Sequence, residues 1–398
     1  GDCCSLGGRP LDALGRYKQA LGSWKRADLA RRPLIDADRA DGRLVGEREA
    51  ELCRKIAREQ QWADRYERAL DWIDRAERAS GGGRRARTVA SSSLRCGTLF
   101  RLGRYRAAAA EGERALRLAL ADDDPQAVAY ARTLLANVYF EQGRLQDAID
   151  QRTQAVALYE AAGDLRGIMV GHGNLGAAHQ LVGALPRALF HYERAAEVAE
   201  RLSNSQAQAL IDNNIGEVLL LQGRFDEAAE RFSSTVRIHD ETAGAPVWAG
   251  LALINLSRVA LHRGDLDASH ELLDRGTRFL RSARARGLLL EATHQRVSLH
   301  IAAGELDVAS RANRRFAGES RRLGMQLFEA RSALLAGRIA MLKGDESLVV
   351  SELRRAIELA EALGAQRELT DAWELLADSG LDPAAPARLE ELRRSPAV

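Results

Sequence analysis

Apolar residues recur at intervals of three and four along most of this chain, the spacing of helices that bury one face. Around Gly143, one apolar stripe precedes the glycine and a second follows it. The two stripes consist of Leu134, Leu135, Val138 and Tyr139, then Ala148, Ala155 and Leu158. The pattern predicts two amphipathic helices joined at a short turn, where the glycine supplies the positive φ that a helix C-terminus commonly needs.

This pair of helices is repeated along the chain. Between Val170 and Asp240 the pattern occurs twice with a period of 40 residues, and Asp64 replaces the turn glycine in one copy. A fixed period in this range is typical of stacked helical repeats, and about nine copies are present. The turn glycines are Gly8, Gly103, Gly143, Gly183, Gly223, Gly264, Gly304 and Gly344.

Three further features carry a family resemblance. A small residue lies seven positions before the turn glycine, an aromatic or apolar residue lies four before it, and alanines mark the helix crossing. These residues are Ala136, Tyr139, Gly143, Ala148 and Ala155, then Gly176, His179, Gly183, Ala188, Tyr192 and Ala195. The pattern resembles the tetratricopeptide repeat, and the resemblance covers nearly the whole chain. It implies an all-α, tetratricopeptide-like superhelical solenoid of about nine helix-turn-helix repeats.

The period exceeds the 34 residues usual in that family, so each helix is expected to be longer by most of a turn. Such long repeats are similar to those of bacterial transcription-regulator sensor domains and Leu-Gly-Asn-type adaptors. Val297 and Val349 depart from the expected small residues and indicate less regular packing. We predict N-terminal irregular repeats at 1–80 with an inserted loop at 31–47, a regular array at 86–280, less regular repeats at 281–378, and a capping tail at 379–398.

Composition limits the classes of partner. The chain has 58 basic and 56 acidic residues, a net charge of +2, and these charges are dispersed. Direct nucleic-acid binding is therefore not expected, because it needs a concentrated basic face. The four cysteines form no regular framework, and no apolar run or signal peptide predicts membrane insertion or export. We expect a cytoplasmic protein.

The most specific candidate site is a row of carboxamide side chains. They lie nine residues before the turn glycine in four successive repeats, where a row of them could bond the backbone of an extended peptide. The row is Asn174, Asn214, Asn255 and Gln295; neighbours predicted on the same groove are Ala177, Asn213, Glu217, Arg258 and Ser298, with Asn137 and Phe140 from the preceding repeat. The resemblance implies that peptides bind this inner surface. Alternatively, the amides bridge adjacent repeats, and both roles can coexist.

The remaining motifs do not indicate a cofactor, metal or catalytic site. The segment from Gly171 to Gly176 matches the glycine pattern of dinucleotide sites, but such a site needs a preceding strand, and the repeat register explains the same residues. His172 and His179 lie on one helix face without a zinc-binding motif, and His179, at the position of Tyr139 in the preceding repeat, is interpreted as a packed core imidazole. We predict no catalytic residues, no metal and no cofactor.

The predicted function is a protein- or peptide-binding repeat scaffold, the sensor or interaction arm of a larger bacterial signalling or regulatory protein. Expected partners are a peptide or protein segment in the concave groove and an effector domain of the same longer chain. The short first helix before Gly8 and the absence of a starting methionine favour this reading. The alternative is a self-standing receptor for a short signalling peptide.

Overall fold

The computed structural model describes residues 39–80, 88–242, 246–285 and 287–394. These residues form 18 helices and no strand, which confirms the predicted all-α fold of tetratricopeptide-like repeats. The helices are α1 (Arg39–Trp62), α2 (Tyr66–Ala79), α3 (Val89–Arg101), α4 (Tyr105–Ala121), α5 (Pro125–Glu141), α6 (Leu145–Ala162), α7 (Leu165–Leu181), α8 (Leu185–Arg201), α9 (Ser205–Leu221), α10 (Phe225–Thr242), α11 (Pro246–His262), α12 (Leu266–Ser282), α13 (Leu289–Ala302), α14 (Leu306–Arg322), α15 (Gln326–Lys343), α16 (Glu346–Leu363), α17 (Gln366–Ser379) and α18 (Ala385–Arg394).

The turns within the pairs have the predicted left-handed backbone. Gly143 has a φ of 73°, and its N–H donates to the Phe140 carbonyl at 3.0 Å, which ends α5. Asp64, the predicted substitute for a turn glycine, has a φ of 53°. Asp124 caps α5 by accepting from the backbone N–H groups of the two residues after Pro125.

Paired helices approach closely where one carries glycine and the other a large side chain. A Cβ on Gly216 would lie 2.5 Å from the ring of Phe232, and a Cβ on Gly176 would lie 2.6 Å from the ring of Tyr192. Both rings are fully buried. The small-residue position of the repeat is therefore a notch that receives the partner side chain, and filling it would cost about 1–3 kcal/mol in strain.

The first compact unit comprises residues 1–164, of which α1–α6 are described. Its helices pack as the pairs α1–α2, α3–α4 and α5–α6, and the first helices of successive pairs also contact each other. One core cluster surrounds Ile56 and Ala76, and another surrounds Leu135 and Tyr139. Both clusters lie between the helices, as expected when each repeat buries its apolar face on its neighbours.

The second compact unit comprises residues 165–398 and contains α7–α18. The first helices of its successive repeats, α7, α9, α11, α13, α15 and α17, contact each other in order. Contacts of this extent are not found between successive second helices of the described repeats. Within this unit the first helices therefore form the tighter, inner layer. Its core includes Phe316 and Leu353, and α18 packs on α17 through the buried Ala385 and Leu389.

The predicted inserted loop is partly wrong. Residues 39–47 form the beginning of α1, because arginine, alanine and leucine favour a helix there and outweigh Gly42 and Gly46. Residues 31–38 and the repeat at Gly8 lie outside the described residues. The division into four segments stays a prediction.

Candidate functional site

The predicted site residues of the first unit meet at an arginine. Asn137 and Phe140 lie on α5, and Arg152 of α6 donates from Nη2 to Asn137 Oδ1 at 3.3 Å. The Arg152 guanidinium also lies over the Phe140 ring, 4.9 Å from its centroid. Burial lowers the pKa of Arg152 to about 10. The Asn137 oxygen and one face of the Phe140 ring are thus engaged in packing the helix pair.

The four carboxamides of the second unit fall into two classes. Asn174 on α7 and Asn214 on α9 are half-buried, whereas Asn255 on α11 is 2% exposed and Gln295 on α13 is 3% exposed. A half-buried amide retains an accessible edge, but a fully buried one has to find its partners inside the protein.

Asn255 belongs to a hydrogen-bonded group that we call the amide link, formed by Asn213, Glu217 and Asn255. Asn255 Nδ2 donates to Asn213 Oδ1 and to Glu217 Oε1, each at 3.3 Å, and joins α11 to α9. Asn213 Nδ2 lies 3.5 Å from the same Glu217 oxygen. Arg258 Nη1 donates to Asn255 Oδ1 at 3.1 Å. Both donor hydrogens and the acceptor of Asn255 are occupied, so this amide connects adjacent repeats.

Gln295 makes a second connection between repeats. Its Nε2 donates to Ser257 Oγ of α11 at 3.3 Å, and Ser257 pairs with Ser269 of α12 at 2.9 Å. Ser298 Oγ donates to the His294 carbonyl of its own helix at 3.2 Å, and Ala177 on α7 is exposed. The bridging role that the sequence left open is therefore what Asn255 and Gln295 perform.

A salt-bridge group missed by the sequence reasoning joins three first helices. Arg331 of α15 contacts Glu291 of α13 at 2.9 Å and Glu368 of α17 at 2.7 Å. We call Glu291, Arg331 and Glu368 the ionic link. Glu368 is buried, and its pairing compensates the loss of hydration. One signal was available: Glu291 and Arg331 both lie thirteen residues before their turn glycines, with opposite charges one period apart.

Arg258 lies between the two links and has a different environment. Burial, followed by the nearby positive charge of Arg367, lowers its pKa, although Glu217 and Glu291 act in the opposite direction. His294 faces the same group: burial, with Arg331 and Arg258 next, lowers its pKa to about 3. Both residues are half-buried by surface area, and the protein groups packed around them on the inner layer remove the hydration that would favour their charged forms.

Three histidines meet at the α7–α8 pair. His172 Nδ1 lies 2.9 Å from His191 Nδ1, and the His179 ring stacks on His191 with centroids 5.3 Å apart. Burial, then the other two histidines, lowers the pKa of His191 to about 4. His172 and His179 are both buried, which for His179 agrees with the expected packed core imidazole. No cluster suited to a metal ion occurs within residues 39–80, 88–242, 246–285 or 287–394.

The glycine pattern from Gly171 to Gly176 lies inside α7, not between a strand and a helix. It therefore lacks the turn on which a dinucleotide phosphate would bind. Of the helices that the structure describes, none is both long and apolar enough to cross a membrane.

Comparisons with known proteins agree with this architecture. The apo form of the quorum sensor NprR from B. thuringiensis is similar, with a TM-score of 0.66 and 11% identity over 87% of this chain and 97% of that one. A Rap protein complexed with Competence and Sporulation Factor has a TM-score of 0.61 and 12% identity, covering 88% of this chain and 99% of that one. At such identities the likeness shows the fold alone.

A third similar structure is larger. A signal transduction ATPase with numerous domains and a tetratricopeptide repeat sensor, from Pyrococcus horikoshii, has a TM-score of 0.55 and 11% identity. The match covers 96% of this chain and 54% of that one. A search of curated proteins gives no match. The profile of the MalT-like TPR region matches residues 90–378, the larger part of the sequence, and the chain therefore belongs to the family of MalT-like tetratricopeptide repeat regions.

Proposed function

We propose that this chain is the ligand-sensing arm of a larger bacterial signalling protein and binds a peptide or protein segment on the inner layer of its second unit. The observation that carries the proposal is the placement of polar side chains on consecutive first helices, α7 to α17. The amide link and the ionic link hold those helices together, so the surface is formed before a ligand arrives.

On this surface Asn174 and Asn214 are the half-buried amides. Asn214 can offer donors and an acceptor to a peptide backbone, whereas Asn255 and Gln295 support the layer from within. Ala177 and Glu217 lie on the same helices as these amides. The proposed role needs no catalytic group and places the protein in the cytoplasm.

The test is selection of peptides from an unbiased displayed library on the purified chain, followed by calorimetry with the selected peptides. We expect Asn214→Ala to weaken binding by about tenfold, because a charge-free amide contact contributes about 1 kcal/mol or more when its partner is left buried. The control is Gln154→Ala, which removes an exposed amide from the second helix α6. Selection of no peptide, or equal weakening by the two substitutions, would refute the proposed surface.

The arm role is tested separately. If the chain is an arm of a larger protein, the natural gene product that contains these repeats should be considerably larger than 43.6 kDa. Intact mass of the native product measures this directly, and a product of the same mass as the chain would contradict the arm role.

One observation favours the alternative, a self-standing peptide receptor. The matches cover 97% of the NprR chain and 99% of the Rap chain, and the Rap structure contains the Competence and Sporulation Factor. Both alternatives use the same inner surface, and the gene-product mass separates them.

A further inference from the structure

Resting on the proposed function, we propose that the inner layer of the second unit selects acidic segments, with Arg258 as the residue that receives the first carboxylate. The ligand would be an extended peptide segment with at least two aspartate or glutamate side chains.

The argument begins with the donors of Arg258. An arginine has five N–H donors in a planar fork that matches a carboxylate. One of these donors is used by Asn255 Oδ1, at 3.1 Å. Among the residues that the structure describes, no carboxylate approaches Arg258 closely enough to form a salt bridge. Arg258 as a residue is half-buried, and its other donors have no hydrogen-bond partner among the described residues.

The neighbouring carboxylates are already engaged. Glu291 and Glu368 both pair with Arg331, and Glu217 accepts from the amide link. Glu291 and Glu368 cannot turn to Arg258 without weakening their bonds to Arg331, and Glu217 already stabilises the charge of Arg258 from a longer distance. An external carboxylate is therefore the group that can complete the coordination of Arg258 at the smallest cost to the protein.

Further arginines lie near Arg258 on the inner layer, together with the carboxylates of Glu217 and Glu291. Arg367 of α17 lies within electrostatic range of Arg258, and His262 lies within range of both Arg258 and Arg338. Asp371 lies near Arg367 and balances part of its charge. Because burial and these arginines keep the pKa of His262 and His294 low, neither imidazole is positively charged at neutral pH. The arginines carry the positive charge here.

The distribution of these arginines favours a segment with several carboxylates. Arg258, Arg338 and Arg367 lie on α11, α15 and α17, three separate first helices. A single terminal carboxylate could engage only one of them closely, whereas acidic side chains along an extended chain can reach successive helices. A partly desolvated arginine also binds a carboxylate more strongly than a fully hydrated one does.

The probe is a twelve-residue peptide of alternating glutamate and alanine, acetylated and amidated, and its glutamine counterpart is the matched control. We expect the glutamate peptide to bind at least about tenfold more tightly than the glutamine peptide, measured by fluorescence anisotropy. We expect Arg258→Gln to remove most of that difference. Arg278→Gln, which loses an exposed arginine of the outer helix α12 and the same charge, should leave it intact.

Several results would overturn the proposal. They are equal binding of the two peptides, equal weakening by Arg258→Gln and Arg278→Gln, or tight binding of a glutamine peptide with a free C-terminus. If Arg258→Gln melts at a lower temperature, Arg367→Gln tests the same prediction through an exposed residue. Failure here while library peptides still depend on Asn214 would refute the acidic preference alone; absence of all peptide binding would refute the proposed function.

Discussion

The amide link and the ionic link join first helices of the same unit by different means. Asn213, Glu217 and Asn255 connect α9 to α11 through bonds of 3.3–3.5 Å that require little desolvated charge. Arg331 connects α13, α15 and α17 through two salt bridges of 2.7–2.9 Å. The ionic link places one guanidinium between two carboxylates, whereas Arg258 donates one hydrogen bond to the amide link and has no salt-bridge partner among the described residues. Bonds between helices therefore hold the surface together at both links, and the amide link also adjoins an arginine that is able to bind a ligand.

The largest expected effect comes from breaking the ionic link. Arg331→Met would leave Glu368 buried without its partner and Glu291 without a counter-charge, which should lower the free energy of unfolding by about 3 kcal/mol. Urea unfolding followed by circular dichroism measures the loss. Lys343→Met is the control, since its ion pair with the exposed Asp307 should contribute little. Equal losses in the two variants would show that the ionic link stabilises the protein no more than an exposed ion pair does.

Breaking the amide link should have a smaller effect. Asn255→Ala removes the bonds to Asn213, Glu217 and Arg258 but leaves no buried charge isolated, so we expect a loss of about 1–2 kcal/mol. The same urea experiment applies, with Ser298→Ala as the control because that hydroxyl bonds only to its own helix. A loss as large as that of Arg331→Met would erase the difference between the links.

Acidification should destabilise the protein through His294, which lies on α13, the helix that also carries Glu291 of the ionic link. Its pKa is about 3 in the folded protein, because of burial and the adjacent arginines, and about 6.5 when unfolded. The unfolded chain therefore binds the proton first as pH falls, so stability is complete above pH 6.5 and declines below it. We expect a loss of about 1 kcal/mol between pH 7 and 5.5 that His294→Gln removes.

The pH experiment is thermal or urea unfolding of the two proteins at a series of pH values. Ser298→Ala, on the same helix, should keep the full pH dependence. An unchanged pH dependence in His294→Gln would mean that this imidazole does not contribute to it.

The smallest expected effect on stability belongs to Asn214→Ala. The half-buried Asn214 makes no side-chain hydrogen bond among the described residues, so its removal should change the free energy of unfolding by less than about 0.5 kcal/mol. A loss equal to that of Asn255→Ala would place Asn214 among the bridging amides and count against its exposure to ligand.

The repeat architecture could be predicted because its determinants are local. A turn glycine such as Gly143, or Asp64 in its place, fixes the backbone by its own φ, and the notch at Gly216 recurs at a fixed distance from the turn. The α1 helix was harder to place, since Gly42 and Gly46 resemble loop residues by composition.

The site could be predicted only in part. The register placed Asn174, Asn214, Asn255 and Gln295 on first helices, but which amides are buried depends on how neighbouring repeats pack. Arg331 was missed because its partners lie 40 and 37 residues away, and nothing within its own repeat indicates them.

The notch between paired helices has a consequence for how these sequences can change. Gly216 with Phe232, and Gly337 with Leu353, place a small residue sixteen positions before a large one. At the same two positions the sequence has Val297 and the shorter Asn313, so a larger side chain on one helix is matched by a smaller one on the other. The two positions should therefore co-vary among homologues in volume, and an exchange at one should be tolerated best when its partner changes with it.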